Sequence, residues 1–171
     1  MNDRELRRQL TELRDIEAIK QLMAEYCDIA DDDHNQDRIA SIFTEDGIWE
    51  GGDDGRAQGH AEIRALFKRF AEQISFSQHN VYNFRIRVDG DRAEGTSYFF
   101  GPFTFRENGF RCWIIGRSED DYAKEGGVWK IRHHRGYGIT VPYEMGWPAQ
   151  TPPDAFANQA WRGRPRSAGD L

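Results

Sequence analysis

Cysteine is scarce: Cys27 and Cys112 are the only two in 171 residues, too few and too far apart for a disulfide framework or a zinc site. Long apolar runs are missing as well. Hydrophobic residues make up 38% of the chain, but they come in stretches of a few residues, where a membrane-spanning helix takes ~20 in succession. The first ten residues, MNDRELRRQL, lack the apolar stretch of a secretory signal, and there is no Asn-x-Ser/Thr acceptor. Positive charge is not in excess. The 23 Lys and Arg against 29 Asp and Glu give a net charge of −6, which argues against nucleic acid or an anionic membrane as partner, because phosphate binding needs a basic face. Proline is nearly absent from the body of the chain, with Pro102 alone before Pro142. These absences lead to the expectation of one soluble, cytoplasmic domain.

The best-known catalytic signatures are also missing. There is no Gly-x-Ser-x-Gly elbow, no Lys-bearing phosphate loop and no His-Glu-x-x-His. Gly136-Tyr137-Gly138 lacks the third glycine of a dinucleotide fingerprint. The acids Asp28, Asp31, Asp32 and Asp33 lack the loop glycine and terminal Glu of an EF-hand. His133 and His134 are adjacent on an expected strand, so they point to opposite faces and cannot share a metal. No metal site is expected.

Aromatic residues, by contrast, are plentiful: eleven Phe, six Tyr and five Trp, 13% of the chain. Such side chains fill cores and apolar ligand cavities alike. Leu6, Leu10, Leu13, Ile16, Ile19, Met23 and Tyr26 recur at spacings of three and four, predicting one long amphipathic helix from Asn2 or Asp3 to about Ala30. A short helix is expected over Asp37–Phe43, a turn at Thr44–Gly47, a short strand at Ile48–Glu50, a loop over Gly51–Gly55, and a third helix after Gly59 carrying Ile63, Leu66, Phe67, Phe70 and Ile74. From about residue 78 the period becomes two. Strands ending near Asp89-Gly90, Asn108-Gly109 and Glu125-Gly126-Gly127 form a meander whose last member is Val128–Val141. Helices followed by an antiparallel meander make an α+β arrangement. Apolar residues of both parities in the long strands imply a sheet covered on two faces, with a second copy as the simplest cover for the outer one; a homodimer or higher homo-oligomer is expected. Residues 1–141 read as a single domain. Residues 142–171 read as a proline-rich segment whose Trp147, Phe156 and Trp161 dock on the body or a neighbour.

Among the acids, Asp31 lies five residues after Tyr26, where the apolar stripe ends, and it is placed to enter the cavity. His79 opens the first long strand in Ser77-Gln78-His79-Asn80, but its alternation matches Val81 and Asn83 rather than Phe84, Ile86 and Val88. Either the cavity lies on that polar face or a bulge changes the phase. Trp129, Ile131, His133 and Arg135 share one parity, so His133 is expected to reach the cavity if Trp129 does.

The order of several segments resembles the SnoaL-like branch of the nuclear transport factor 2-like superfamily. They are Asp15-Ile16-Glu17-Ala18-Ile19-Lys20, Tyr26-x4-Asp31, Ile42-Phe43-x2-Asp46, Gly59-x3-Ile63, His79-x3-Asn83, Val88-Asp89-Gly90-Asp91-x-Ala93 and Gly127-Val128-Trp129-Lys130-Ile131. The resemblance covers about residues 8 to 140. It implies a cone-shaped α+β barrel, helices packed into a strongly curved, mostly antiparallel sheet around an apolar pocket. In pattern the chain is most similar to bile acid 7α-dehydratases and hexachlorocyclohexane dehydrochlorinase, and more distantly to scytalone dehydratase. Carried over residue by residue, the resemblance implies a catalytic Tyr26, Asp31 and His79, with Asp32 as rival to Asp31 because the alignment slips by one residue before Phe43. Gly101 stands where the dehydratases carry an acid, and Ile139 about where they carry an Arg, so bile acids are not implied.

A His–Asp pair beside a Tyr suits proton abstraction from a small, cyclic, mostly apolar or aromatic ligand, with no cofactor required. Trp49, Phe67, Asn83, Trp113 and His133 are the candidates for lining the substrate pocket. The expected activity is that of a dehydratase-like lyase, isomerase or cyclase. Two other readings share the fold: a ligand-binding protein without chemistry, and the small subunit of a ring-hydroxylating dioxygenase.

Overall fold

A computed structural model describes residues 2–143. Helix α1 (Asp3–Asp31) starts where the Asn2 side chain accepts the Glu5 N–H at 2.9 Å. Its second half carries the buried Ile19, Leu22, Met23, Tyr26, Cys27, Ile29 and Ala30, whereas Leu6, Leu10 and Leu13 are 52%, 49% and 63% exposed. The apolar stripe is therefore continuous in sequence but only half of it packs. Trp129 fixes that half to the sheet, its indole N–H donating to Asp15 at 2.9 Å, with Lys124 on the same carboxylate at 2.7 Å.

Helix α2 (Gln36–Ser41) is capped by Asn35. Strand β1 (Phe43–Glu50), a single 3-10 turn (Gly52–Asp54), β2 (Arg56–Gln58), helix α3 (Gly59–Gln73) and β3 (Ile74–Ser77) follow. The long strands are β4 (Asn80–Asp89), β5 (Arg92–Phe105), β6 (Arg111–Glu125) and β7 (Val128–Pro142). One sheet has the order β2-β1-β7-β6-β5-β3, with β4 also paired to β5. The β1–β7 pair is parallel and the other pairs are antiparallel. This curled mixed sheet holds the helices on its inner face, an α+β cone. Phe43, Phe67, Ile19, Met23, Ile29, Ile39, Ile63 and Ile131 are fully buried between helices and sheet, each contributing ~1.5–3 kcal/mol of burial.

Several expectations need correction. Thr44–Gly47 does not separate two elements. It lies inside β1 as an irregular step, since Phe43 faces Ile131 while Ile48 faces His133 on β7, and the Thr44 hydroxyl donates to Asp46 at 3.0 Å. Phe43 and Ile74 are the first residues of strands rather than helical. Strands β2 and β3, three and four residues long, have no sequence expectation. Nothing is described of Trp147, Phe156 and Trp161, so the expectation for the C-terminal segment lies outside the described residues.

Two bulges set which side chains face inward. In β4 the register slips between Tyr82 and Arg85, where Asn83 adopts φ of 55°. The slip puts Val81 on the core face together with Phe84, Ile86 and Val88. In β7, Asp121 faces His133 but Tyr122 faces Ile131, so Arg132 is the extra residue. Trp129 and Ile131 face the core before the bulge, and His134 does so after it.

Candidate active site

Asp31 is the last residue of α1, at the end of the helix dipole that disfavours negative charge by ~0.3–1 kcal/mol. Hydrogen bonds offset this. The His79 ring meets Asp31 through Nδ1 at 2.6 Å, the His79 backbone N–H donates at 2.9 Å, and the Ser77 hydroxyl donates at 3.1 Å. Ser77 ends β3 and His79 stands just before β4, so the β3–β4 link wraps the carboxylate. Burial pushes the Asp31 carboxyl up, but the ring, backbone and hydroxyl donors and the His79 charge outweigh it and leave the group below its ordinary value. With Nδ1 held, His79 presents Nε2, which has no hydrogen-bond partner among the described residues. Phe99 and Phe103 stand with ring centroids 5.2 and 5.1 Å from His79, and His34 at 6.0 Å.

Asp32 points away to the surface and accepts from Arg38 at 3.0 Å. Geometry therefore pairs His79 with Asp31. The phase question at His79 is answered by the bulge at Asn83.

Tyr26 makes its contacts elsewhere. Its hydroxyl accepts the Trp49 indole N–H at 2.8 Å, and its ring lies 5.2 Å from His134 and 6.3 Å from Phe67. Burial pushes the phenol far above its ordinary value, with the Trp49 hydrogen bond only partly offsetting it, so the hydroxyl keeps its proton. Trp49 and Phe67, expected to line the substrate pocket, are buried in the core, packed edge-on to each other at 6.1 Å and both against Phe70.

Three expected pocket residues are not pocket residues. Asn83 is exposed at its bulge. Trp113 lies on the outer face, stacked on Phe100 at 5.1 Å. His133 is turned outward by the Arg132 bulge, with Glu50 at 3.0 Å and Arg135 at 2.7 Å.

Sequence reasoning missed two further histidines. His34 follows Asp33, both with left-handed φ, 53° and 50°, a conformation uncommon outside glycine but one that Asp and His adopt more readily than most. That turn swings the imidazole in among Phe67, Phe70 and His79, where burial, then the nearby His79 charge, lowers its pKa to about 4. His134 meets Asp120 through Nδ1 at 2.7 Å, both buried. Parity would have found His134 only if the bulge at Arg132 had been anticipated.

Among the described residues there is no cluster of His, Cys, Asp and Glu that could hold a metal, and no helix is long and apolar enough to cross a membrane. Two grooves, of about 380 and 410 Å³, are lined mainly by charged and glycine residues such as Arg85, Arg117, Glu119, Arg135 and Glu50, Gly52, Arg56; neither includes His79. The surroundings of His79 are aromatic instead, with Phe99, Phe103 and His34 about its ring.

The SnoaL-like domain family matches residues 11–135, which is most of the chain, and the protein belongs to that family. The uncharacterized protein Rv2910c of Mycobacterium tuberculosis is 28% identical over 127 residues, 71% of this chain and 84% of its own length. Among solved structures, the hexachlorocyclohexane dehydrochlorinase LinA-type3 of Novosphingobium barchaimii superposes with a TM-score of 0.69 at 22% identity, covering 76% of this chain and 90% of its own. A scytalone dehydratase-like protein of Novosphingobium aromaticivorans gives 0.70 at 20% identity over 77% and 89%. A variant of Rv3472 of Mycobacterium tuberculosis, a protein of unknown function, gives 0.67 at 24% identity over 85% and 84%. At these identities the structures show a shared fold.

Proposed function

We propose that the protein is a cofactor-independent lyase or isomerase that removes a proton from carbon in a small, cyclic, mostly apolar substrate. The observation that carries this reading is the 2.6 Å Asp31–His79 contact amid Phe99 and Phe103. Asp31 fixes the ring tautomer and stabilises the imidazolium, while Nε2 accepts the substrate proton. The electron pair of the broken C–H bond then forms a double bond as a neighbouring leaving group departs, or rests on a conjugated carbonyl oxygen until the proton returns elsewhere. Solved relatives of the same fold that bear dehydrochlorinase and scytalone dehydratase names support an elimination.

Two probes test this. In D2O, exchange of the α-protons of 2-tetralone is followed by proton NMR, and chloride release from hexachlorocyclohexane by ion chromatography. At least one rate should exceed buffer and fall by ~10²–10⁴ in His79→Ala, the size of a general-base contribution. Wild-type rates equal to buffer on both probes would leave the chain as a binder of the same fold.

We further propose that a second copy covers the outer face of the sheet, supported by the aromatic tract there and by the alternating charges beside it.

A further inference from the structure

Asp120 is 2% exposed, a carboxylate almost wholly withdrawn from water. Such a group costs several kcal/mol to bury even after relaxation, so it persists only with dedicated partners. It has them. His134 Nδ1 stands 2.7 Å from one carboxylate oxygen, the Ser118 hydroxyl donates to the other at 2.8 Å, and Ser97 and Ser118 share a hydrogen bond of 2.8 Å. The Tyr122 hydroxyl also bonds Asp120. These side chains come from three adjacent strands, β5, β6 and β7, and they face the helices.

The ring of His134 is clamped at a tilt between Tyr26, 5.2 Å away, and Trp49, 6.0 Å away. With Nδ1 tethered, Nε2 is the nitrogen left over, and it has no hydrogen-bond partner among the described residues. A side chain at Gly136 would begin 3.4 Å from that nitrogen; glycine leaves it uncovered. The arrangement repeats that of Asp31 and His79: carboxylate on Nδ1, aromatic walls, Nε2 open.

Both imidazoles look onto one strip of sheet. Gly95, Asp120 and His134 form one cross-strand row, and Ser97, Ser118 and Gly136 form the next. Phe99, Gly116 and Gly138 form the third, where Phe99 touches His79. Four residues of strand separate the first row from the third, about 13 Å of backbone at the usual rise, and His134 Nε2 lies on the Gly136 side of its ring, toward the third row.

We propose that His134, held by Asp120, is a second acid–base residue on the same inner strip of sheet as His79, serving the polar end of the substrate opposite the carbon that His79 deprotonates. This rests on the reading of Asp31–His79 as the proton-abstracting pair. The substrate class that fits is a conjugated ring system in which the acidic C–H and an oxygen or other leaving group at the far end are joined through ring double bonds. His79 Nε2 takes the proton, the C–H electron pair forms a double bond to the next ring carbon, each conjugated double bond shifts one place along, and the bond to the leaving group at the far end breaks with its pair on that group. Protonated His134 then gives its Nε2 proton to the departing group. The turnover ends with His79 protonated and His134 neutral, and exchange with solvent resets both without net proton uptake.

The test uses the full chain in a His133→Gln background, so that reaction at the neighbouring histidine cannot be confused with that at His134. Histidine side-chain NMR is recorded while 4-nitrophenol, a ring with one ionisable oxygen, is added, and ethoxycarbonylation by diethyl pyrocarbonate is mapped by mass spectrometry with and without it. The expected result is that both His79 and His134 ring signals move, both rings react within about tenfold of each other in rate, and the phenol protects both. His134→Gln should weaken phenol binding at least tenfold. If that variant fails to fold, Asp120→Asn should slow ethoxycarbonylation of His134 and leave that of His79 unchanged. Movement and protection at His79 alone, with His134 inert, overturns the proposal and leaves the Asp31–His79 reading intact. Movement at His134 alone removes the Asp31–His79 reading and the pairing built on it. Silence at both rings counts against both.

Discussion

The neighbouring acids Asp31 and Asp32 show how far one residue of position matters. Asp31 has a ring nitrogen, a backbone N–H and a hydroxyl on its oxygens, whereas Asp32 has one exposed guanidinium. Asp31→Asn should keep the fold and lower turnover by ~10²–10⁴, with His79→Ala similar and the double variant little worse, because the two act as one unit. Asp32→Asn should be nearly silent; exchange kinetics on 2-tetralone would show the opposite if the pairing were shifted. The pair was legible through the resemblance, which carried over Asp31 and His79 with Asp32 as rival; the helix period placed Asp31 only at the end of the apolar stripe, and alternation left the facing of His79 open. Asp120 and His134 were not legible, because two residues fourteen apart on neighbouring strands meet only in one register, and the register hangs on a bulge.

His34 gives a prediction of a different kind. Burial holds its imidazole neutral down to about pH 4, while in the unfolded chain it takes a proton near its ordinary 6.5. As pH falls below about 6.5 the unfolded state binds a proton that the folded state refuses, so stability drops progressively between 6.5 and about 4. The whole effect is on the order of 3 kcal/mol. Asp31, lowered below its ordinary range, adds a further loss only at still more acid pH. Thermal melts from pH 7 to 4.5 should show Tm falling in the wild type. The slope should flatten in His34→Asn, a residue that tolerates left-handed φ and does not titrate; an unchanged slope would mean that another group sets it.

At the scale of elements, periodicity located α1, α3 and the four long strands, since each is long enough for its pattern to repeat. β2 and β3 are too short to carry a period, and pairing with β1 and β5 alone makes them strands. Side-chain direction failed where a bulge intervened. Strict alternation sent His133 inward, and it is not there; Trp113, a pocket candidate with no alternation argument behind it, lies on the outer face. The β4 bulge is testable by its backbone. Asn83 holds φ of 55° with an exposed side chain, a conformation that asparagine and glycine accept and β-branched residues resist by roughly 1–2 kcal/mol. Asn83→Val should therefore cost about that much in urea unfolding and Asn83→Gly within ~0.5 kcal/mol of nothing. Equal costs would mean that side-chain contacts, not the turn, set the position.

The molecule as a whole has two unlike sheet faces. Helices fill the inner one. On the outer one, Tyr82 and Tyr98 stack at 6.0 Å and are 41% and 44% exposed, while Phe100 and Trp113 stack at 5.1 Å beside Tyr143. Across β6 and β7 the tract continues through Ile115 and Ile139, then gives way to Arg117–Glu119 and Arg135–Asp121 ion pairs. Aromatic groups at the centre with charges of both signs at the rim match the anatomy of a protein interface. A patch carrying both signs can complement itself across a two-fold axis, as an isologous dimer requires. Light scattering on the eluting protein should therefore find a dimer or larger assembly. Trp113→Arg sets a cation in the middle of the tract and should shift the protein toward monomer by at least tenfold in dissociation constant, with the circular dichroism of the fold retained. Tyr82→Arg, at the tract's edge, should have the smaller effect. A wild type that runs as a monomer at 100 µM, or a Trp113→Arg variant whose assembly is unmoved, would assign the aromatic face to some other use and leave the inner-face chemistry untouched.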